Sequence, residues 1–132
     1  MICPDIENKV FDRVYTTAIA EFPNLDMNSI PNFTECGDLA CRLYEMDSQT
    51  VRRGMDLSRS GEHYKDVTYE VQLRCNLTQG KKQKLKAVYY NIHKTMIDMG
   101  FREISLTSFF EDTVYRTVAR YRGRVDDNGN IS

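Results

Sequence analysis

Two stretches of the chain repeat apolar residues at steps of three and four, which predicts two amphipathic helices. The first runs from about Asp5 to Glu21, where Pro4 suits a helix start and Pro23 ends it. The second runs from about Lys81 to Met99, and Gly100 suits a left-handed C-cap. The apolar stripes comprise Ile6, Val10, Phe11, Val14, Ala18 and Ile19 in the first helix, and Leu85, Val88, Tyr89, Ile92, Met96 and Met99 in the second.

Alternation of apolar and polar residues predicts strands in other parts of the chain. The clearest is Val67 to Leu77, with one face for a core and one face for water or a partner. Val114 to Val125 alternates in the same way, and Phe101 to Phe110 is also interpreted as a strand. Leu39 to Met46 carries apolar residues on both faces, so we expect cover on both sides. A proline within Met27 to Glu35 predicts a strand that is short or lies at an edge.

The remaining segments are polar. Residues 47–64 show no sustained period and predict a long loop, and residues 126–132 predict a frayed tail. The chain, residues 1–132, is long enough for a single domain with one core. The order of elements predicts an α+β fold, in which a mostly antiparallel sheet of about four to five strands carries two helices packed on one face.

Composition and charge narrow the classes of function. Hydrophobic residues make up 41% and charged residues 28%, which indicates an ordinary globular chain. The sequence has no apolar run that could span a bilayer and no secretory signal pattern, so we expect neither a membrane span nor secretion. A net charge of −1 argues against a protein whose main task is binding nucleic acid. Residues 1–50 hold nine acidic and three basic residues, whereas residues 51–132 hold ten and fifteen, which indicates two unlike surfaces.

No motif in the sequence points to catalysis, a cofactor or a metal ion. His63 and His93 are interpreted as ordinary surface histidines, because no motif sets a serine or cysteine beside either of them. A zinc site that combines Cys36 and Cys41 with the histidines fits no standard ligand spacing. The cysteines are interpreted as reduced thiols of a cytoplasmic fold: Cys3, Cys36, Cys41 and Cys75. The sequence therefore predicts a protein that is not an enzyme.

Two basic clusters are candidates for interaction. Four arginines share one face of the last predicted strand, where like charges repel unless a partner answers them. A subunit or partner interface, a solvated face and a nucleic-acid contact stay open as interpretations. Lysines also crowd the start of the second helix, which suits either a solvated face or an acidic partner. The candidate interface set is Arg116, Arg120, Arg122, Arg124, Arg52, Arg53, Lys81 and Lys82.

Several short stretches, in this order and spacing, resemble the tail terminator proteins of long-tailed bacteriophages. The resemblance is to the small tail-completion or minor capsid proteins of phages that infect Gram-positive bacteria, and it covers most of the chain. The stretches are Phe22-Pro23 after the first helix, Val67-Thr68-Tyr69-Glu70-Val71, Asn76, Gly80-Lys81-Lys82, Lys86-Ala87, Met99-Gly100-Phe101, Tyr115-Arg116 and Val118-Ala119-Arg120-Tyr121. Met27 to Met46 matches less clearly, and the four cysteines are not a feature of that family.

The resemblance implies an α+β subunit with no enzyme activity and no cofactor, which assembles into a hexameric ring. Such a ring caps the tail tube, ends tail assembly and joins the tail to the head–neck complex. The implied partners are further copies of the chain, the tail tube protein and a neck or head-completion protein, with no membrane and no specific nucleic-acid binding. The implied location is the tail–neck junction of the virion, after assembly in the host cytoplasm. Unlike surfaces meet in a heterologous ring, which suits the uneven charge of the two halves.

Two alternatives stay open beside this interpretation. One is another neck component, such as a head-completion adaptor that binds the portal side. The other belongs to a different class, a small enzyme or a regulatory binding protein outside any virion.

Overall fold

The computed structural model describes residues 5–33, 36–50 and 64–132, which form two helices and a five-stranded sheet. Helix α1 spans Glu7–Glu21 and helix α2 spans Lys81–Asp98, close to the predicted bounds. Asp5 accepts a hydrogen bond from the Glu7 backbone N–H at the start of α1. Gly100 follows α2 with a φ of +108°, as its predicted role as a C-cap requires.

The sheet has the strand order β1-β2-β3-β5-β4. The strands are β1 (Asp26–Asn28), β2 (Leu39–Thr50), β3 (Tyr64–Cys75), β4 (Arg102–Glu111) and β5 (Val114–Asp126). β1 runs parallel to β2, and all other neighbours are antiparallel. The register shifts between Glu45 and Asp47 in β2, and between Glu103 and Ser105 in β4. The predicted α+β fold is therefore confirmed.

The core lies between one face of the sheet and the two helices. α1 and α2 contact each other, α1 contacts β2, and α2 contacts β3, β5 and β4. Alternate residues of β3 are buried against the helices, among them Val67, Tyr69 and Leu73. The same alternation in β5 buries Ala119 and Tyr121. The alternation of apolar and polar residues along β3 and β5 thus identifies the sheet face that the helices cover.

The first part of β2, residues 39–43, is covered on both faces, as the apolar residues on its two faces predict. Leu39, Cys41 and Leu43 join the core, while Ala40 and Arg42 are buried on the opposite face. The strand predicted within Met27 to Glu35 is β1, which is short and lies at the sheet edge.

The predicted loop at residues 47–64 is wrong at both ends. Residues 47–50 extend β2, and Tyr64 begins β3. Their pairing includes Ser48 with Val67 and Gln49 with Asp66. Ladder hydrogen bonds use backbone groups, so a polar stretch can continue a strand that its side chains do not predict. The rest of the predicted loop, including Arg52, Arg53 and His63, lies outside the described residues.

The predicted frayed tail at residues 126–132 is also wrong. One Asp126 carboxylate oxygen accepts hydrogen bonds from the N–H groups of Asn128 and Asn130, each 2.9 Å long, and so builds a turn. The chain then returns along β5, where Arg124 and Ser132 exchange two backbone hydrogen bonds of 3.1 and 2.9 Å. Ile131 packs against the core. The hydrogen bonds of the Asp126 side chain and the packing of Ile131 thus hold a segment whose sequence shows no apolar period.

The three cysteines within the described residues are unpaired, as predicted. Cys41 and Cys75 are buried on the helix side of the sheet, whereas Cys36 is half-buried. Burial raises the pKa of the Cys41 thiol to about 12. Cys3 lies outside the described residues.

Candidate interaction surface

The sheet face opposite the helices carries the arginines predicted to share one face of the last strand. Arg120, Arg122 and Arg124 occupy alternate positions of β5 and are exposed, while Arg116 is half-buried. The residues between them, such as Ala119 and Tyr121, point into the core and are fully buried. We call this uncovered surface of β3, β5 and β4 the arginine face.

Arg116 is held within the protein and does not project from it. Its guanidinium donates to Glu111 and to Gln72, both at 2.8 Å. It also lies 5.2 Å from the ring of Phe33 and 5.8 Å from the ring of Phe109. These contacts stabilise the junction of β3, β5 and β4, so Arg116 differs in role from the other arginines of its strand.

Arg120 lies opposite an acidic side chain. Its cross-strand neighbour in β3 is Glu70, which is buried and accepts a hydrogen bond of 2.9 Å from the Tyr44 hydroxyl. Gln72 donates to the same hydroxyl at 2.6 Å. Burial raises the pKa of Tyr44, and its hydrogen bond to Glu70 adds to the rise. The middle of the arginine face is thus a polar network with its charges partly matched.

The end of the arginine face away from Arg116 holds an excess of positive charge. Arg124 donates to Asp66 at 3.1 Å. Arg122 has Thr68 opposite it in β3 and Arg102 opposite it in β4, so no carboxylate faces it in the ladder. Arg102, Arg122 and Arg124 line a groove of about 330 Å³ together with Asp66 and Ser132. Two like charges directly opposite each other destabilise a sheet, and a partner that supplies carboxylates would relieve this repulsion.

The two predicted lysines belong to a different surface. The Lys81 ammonium donates to the Thr113 carbonyl, and Lys82 lies 5.3 Å from the Phe110 ring and 5.9 Å from the Tyr115 ring. Tyr115 packs against the core, so these contacts tie the start of α2 to the β4–β5 hairpin on the helix side. The structure therefore separates Lys81 and Lys82 from the arginines with which they were grouped.

A second polar cluster, which was not predicted from the sequence, joins α2 to the sheet. His93 Nδ1 lies 2.8 Å from the Tyr121 hydroxyl and 3.0 Å from a carboxylate oxygen of Glu103. Tyr89, one turn before His93, donates to the same carboxylate. His93 is therefore a half-buried member of a network, and its interpretation as an ordinary surface histidine is wrong. The spacing of Tyr89 and His93 by four residues was the available signal, since such residues share a helix face.

This cluster predicts a loss of stability at high pH. Burial, and next the hydrogen bond to Glu103, raise the pKa of Tyr89 from 10.0 to about 12. Above pH 10 the unfolded chain releases this proton first, so the free energy of unfolding falls as the pH rises towards 12. Burial also raises the pKa of Tyr121 in the same cluster, so Tyr89 supplies only part of this slope. We expect Tyr89→Phe to make the slope less steep in urea unfolding followed across that range. Tyr90→Phe is the control, because Tyr90 is exposed. Equal slopes for the two variants would contradict the role given to Tyr89.

Comparisons with other proteins do not identify a family for this chain. No protein-family model matches the sequence, and no curated protein matches it significantly. Neither described helix is long and apolar enough to cross a membrane. Within residues 5–33, 36–50 and 64–132, no three side chains of the metal-binding types come together to hold an ion.

Proposed function

We propose that this chain is a structural subunit of a phage particle, a tail terminator whose arginine face binds an acidic surface of another subunit or of a neck or tail partner. The observation that carries the proposal is the uncovered sheet face on which Arg120 and Arg122 are exposed. Arginine is enriched at protein interfaces, where its planar guanidinium pairs with carboxylates through two hydrogen bonds. The α+β fold agrees with the fold that the sequence resemblance implies.

In this proposal the subunits form a hexameric ring that caps the tail tube and joins it to the head–neck complex. The uneven charge of the chain supports such an assembly, since residues 1–50 are acidic overall and residues 51–132 are basic. A head-to-tail ring brings unlike surfaces of neighbouring copies together. The partners are further copies of the chain, the tail tube protein and a neck protein, in a virion assembled in the host cytoplasm.

The proposal is tested by changing the arginine face while keeping the fold. Glu70 lies opposite Arg120, so Arg120→Glu would set two carboxylates against each other and destabilise the subunit itself. Arg120→Gln combined with Arg122→Glu avoids this. We expect the free energy of unfolding to change by less than about 1 kcal/mol, because exposed substitutions each cost about 0.5 kcal/mol or less. We expect rings, or tails joined to heads, to be lost, because each broken interfacial charge pair costs roughly 2–5 kcal/mol.

Lys86→Gln combined with Lys94→Glu is the matched control. It changes the net charge by the same amount on the exposed surface of α2. Electron microscopy of the purified protein and of phage complemented with each variant measures rings and joined particles. Normal assembly by the arginine variant would overturn the proposal, and so would equal failure of the control, which would point to net charge and not to this face.

A further inference from the structure

β4 is an edge strand that exposes uncharged side chains, several of them large and apolar. β4 ends the sheet, and nine of its ten residues pair with β5, its one neighbour among the described strands. The segment Ile104–Phe110 contains no charged residue. Its large side chains remain 44% exposed at Ile104, 48% at Leu106, 37% at Phe109 and 53% at Phe110. Natural edge strands are usually short, charged or covered, because a long apolar edge pairs with other chains.

The faces of β4 restrict how a second strand can pair with it. The register shift at Ile104 leaves Ser105–Glu111 as the longest regular stretch. In this stretch Leu106, Ser108 and Phe110 pair with residues on the helix side of β5, and the residues between them lie on the arginine face. A two-fold pairing centred on Ser108 keeps each side chain on its own face. It sets Leu106 opposite Phe110, and Thr107 opposite Phe109, of the second copy.

The charges near the edge agree with the same register. Glu111 lies on the arginine face with its side chain 60% exposed. In the two-fold pairing it comes opposite Ser105 of the other copy, where Arg102 is its diagonal neighbour. Diagonal neighbours lie about 7–8 Å apart at Cα, within reach of a long side chain. Glu111 of each copy, which also accepts a hydrogen bond from Arg116 of its own chain, thereby approaches Arg102 of the other copy.

We infer that β4 pairs antiparallel with β4 of a second copy of this chain, with Ser108 on the two-fold axis. The contact makes one continuous sheet of the two subunits and covers the apolar edge of each. It is isologous, so it differs from the head-to-tail contact that closes a ring. The inference therefore does not depend on the proposed function.

Cysteine cross-linking tests the register directly. Directly opposed residues of antiparallel strands have Cα atoms about 4.5–5.5 Å apart, within the range that a disulfide spans. We expect Ser108→Cys to form a disulfide-linked dimer under mild oxidation. Thr113→Cys, at the hairpin turn and far from the axis, is the control and should stay monomeric on a non-reducing gel. Both variants carry Cys3→Ser and Cys36→Ser, so that the two other thiols left in the chain, Cys41 and Cys75, are buried.

A second measurement follows the mass of the chain without any cross-link. At protein concentrations below those at which rings form, we expect sedimentation equilibrium to show a dimer. We expect Leu106→Glu to weaken this dimer about 100-fold, since the symmetric contact loses the same apolar pair twice. Cross-linking of Ser108→Cys no faster than Thr113→Cys would overturn the inference. A parent chain that sediments as a monomer, or as an open series of larger species, would overturn it as well.

Discussion

Replacing Gly123 with any larger residue is expected to destabilise the protein. Gly123 lies on the helix side of β5, beneath Phe101 and Ile131. A Cβ atom there would come 2.8 Å from a ring carbon of Phe101 and 2.8 Å from Cγ2 of Ile131. These distances are below van der Waals contact, so a side chain at this position must push aside Phe101 and the returning tail that holds Ile131.

The size of the effect follows from the cost of overpacking. Extra methyl groups in a filled core cost about 1–3 kcal/mol. We expect Gly123→Ala to lower the free energy of unfolding by about 2 kcal/mol, and Gly123→Val to leave little folded protein. Urea unfolding followed by circular dichroism measures both. Gly37→Ala is the control, because its Cβ would meet only Asp26 at an ordinary 3.7 Å.

A double variant separates the clash from other effects of alanine in a strand. Combining Gly123→Ala with Ile131→Ala removes one of the two close contacts. The combined loss of stability should therefore be smaller than the two separate losses together. Unfolding of Gly123→Ala at the same urea concentration as the parent would show that the packing above β5 is looser than these distances require.

Most of the fold could be predicted because its elements have one buried face each. The regular apolar spacing in α1, α2, β3 and β5 reflects a helix or strand with one side on a shared core. The prediction failed where other forces hold the backbone. Residues 47–50 continue β2 through ladder hydrogen bonds, and the tail is held by Asp126 and Ile131. Neither kind of contact produces a repeating pattern along the chain.

The arginine face was likewise predicted only in part. Alternation along β5 correctly placed four arginines on one face, but it could not distinguish Arg116 from Arg122. That difference comes from Phe33 and Gln72, which are distant in sequence. Arg102 was missed because the shift at Ile104 determines which residue lies opposite Arg122. Pairing across strands depends on turns and bulges, which side-chain periodicity does not report.

Arg42 is the second residue whose replacement should have a large effect. Arg42 is 1% exposed, and its side chain joins β2 to the segment that holds Asn32 and Phe33. The guanidinium donates to three backbone carbonyls, at 2.9 Å to Asn32, 2.8 Å to Asp26 and 3.0 Å to Cys41. It also lies 3.5 Å from the Asp26 carboxylate and 5.1 Å from the Phe33 ring. One buried cation thus holds β1 in place and occupies several acceptors at once.

Arg42→Met is expected to lower the free energy of unfolding by about 3 kcal/mol, because buried carbonyls lose charged donors and the new side chain supplies none. Asp26 is 36% exposed and keeps some contact with water, so its carboxylate adds little to this loss. Arg42→Lys should fall between the parent and Arg42→Met, since an ammonium keeps the charge but lacks the planar fork. Arg122→Met is the control for an exposed arginine on the same sheet face and should change the free energy of unfolding by about 0.5 kcal/mol or less.

Hydrogen exchange should also be faster at residues 26–28 and 40–42 in Arg42→Met than in the parent. Equal stability of Arg42→Met and Arg122→Met would mean that β1 is held by its three paired residues alone.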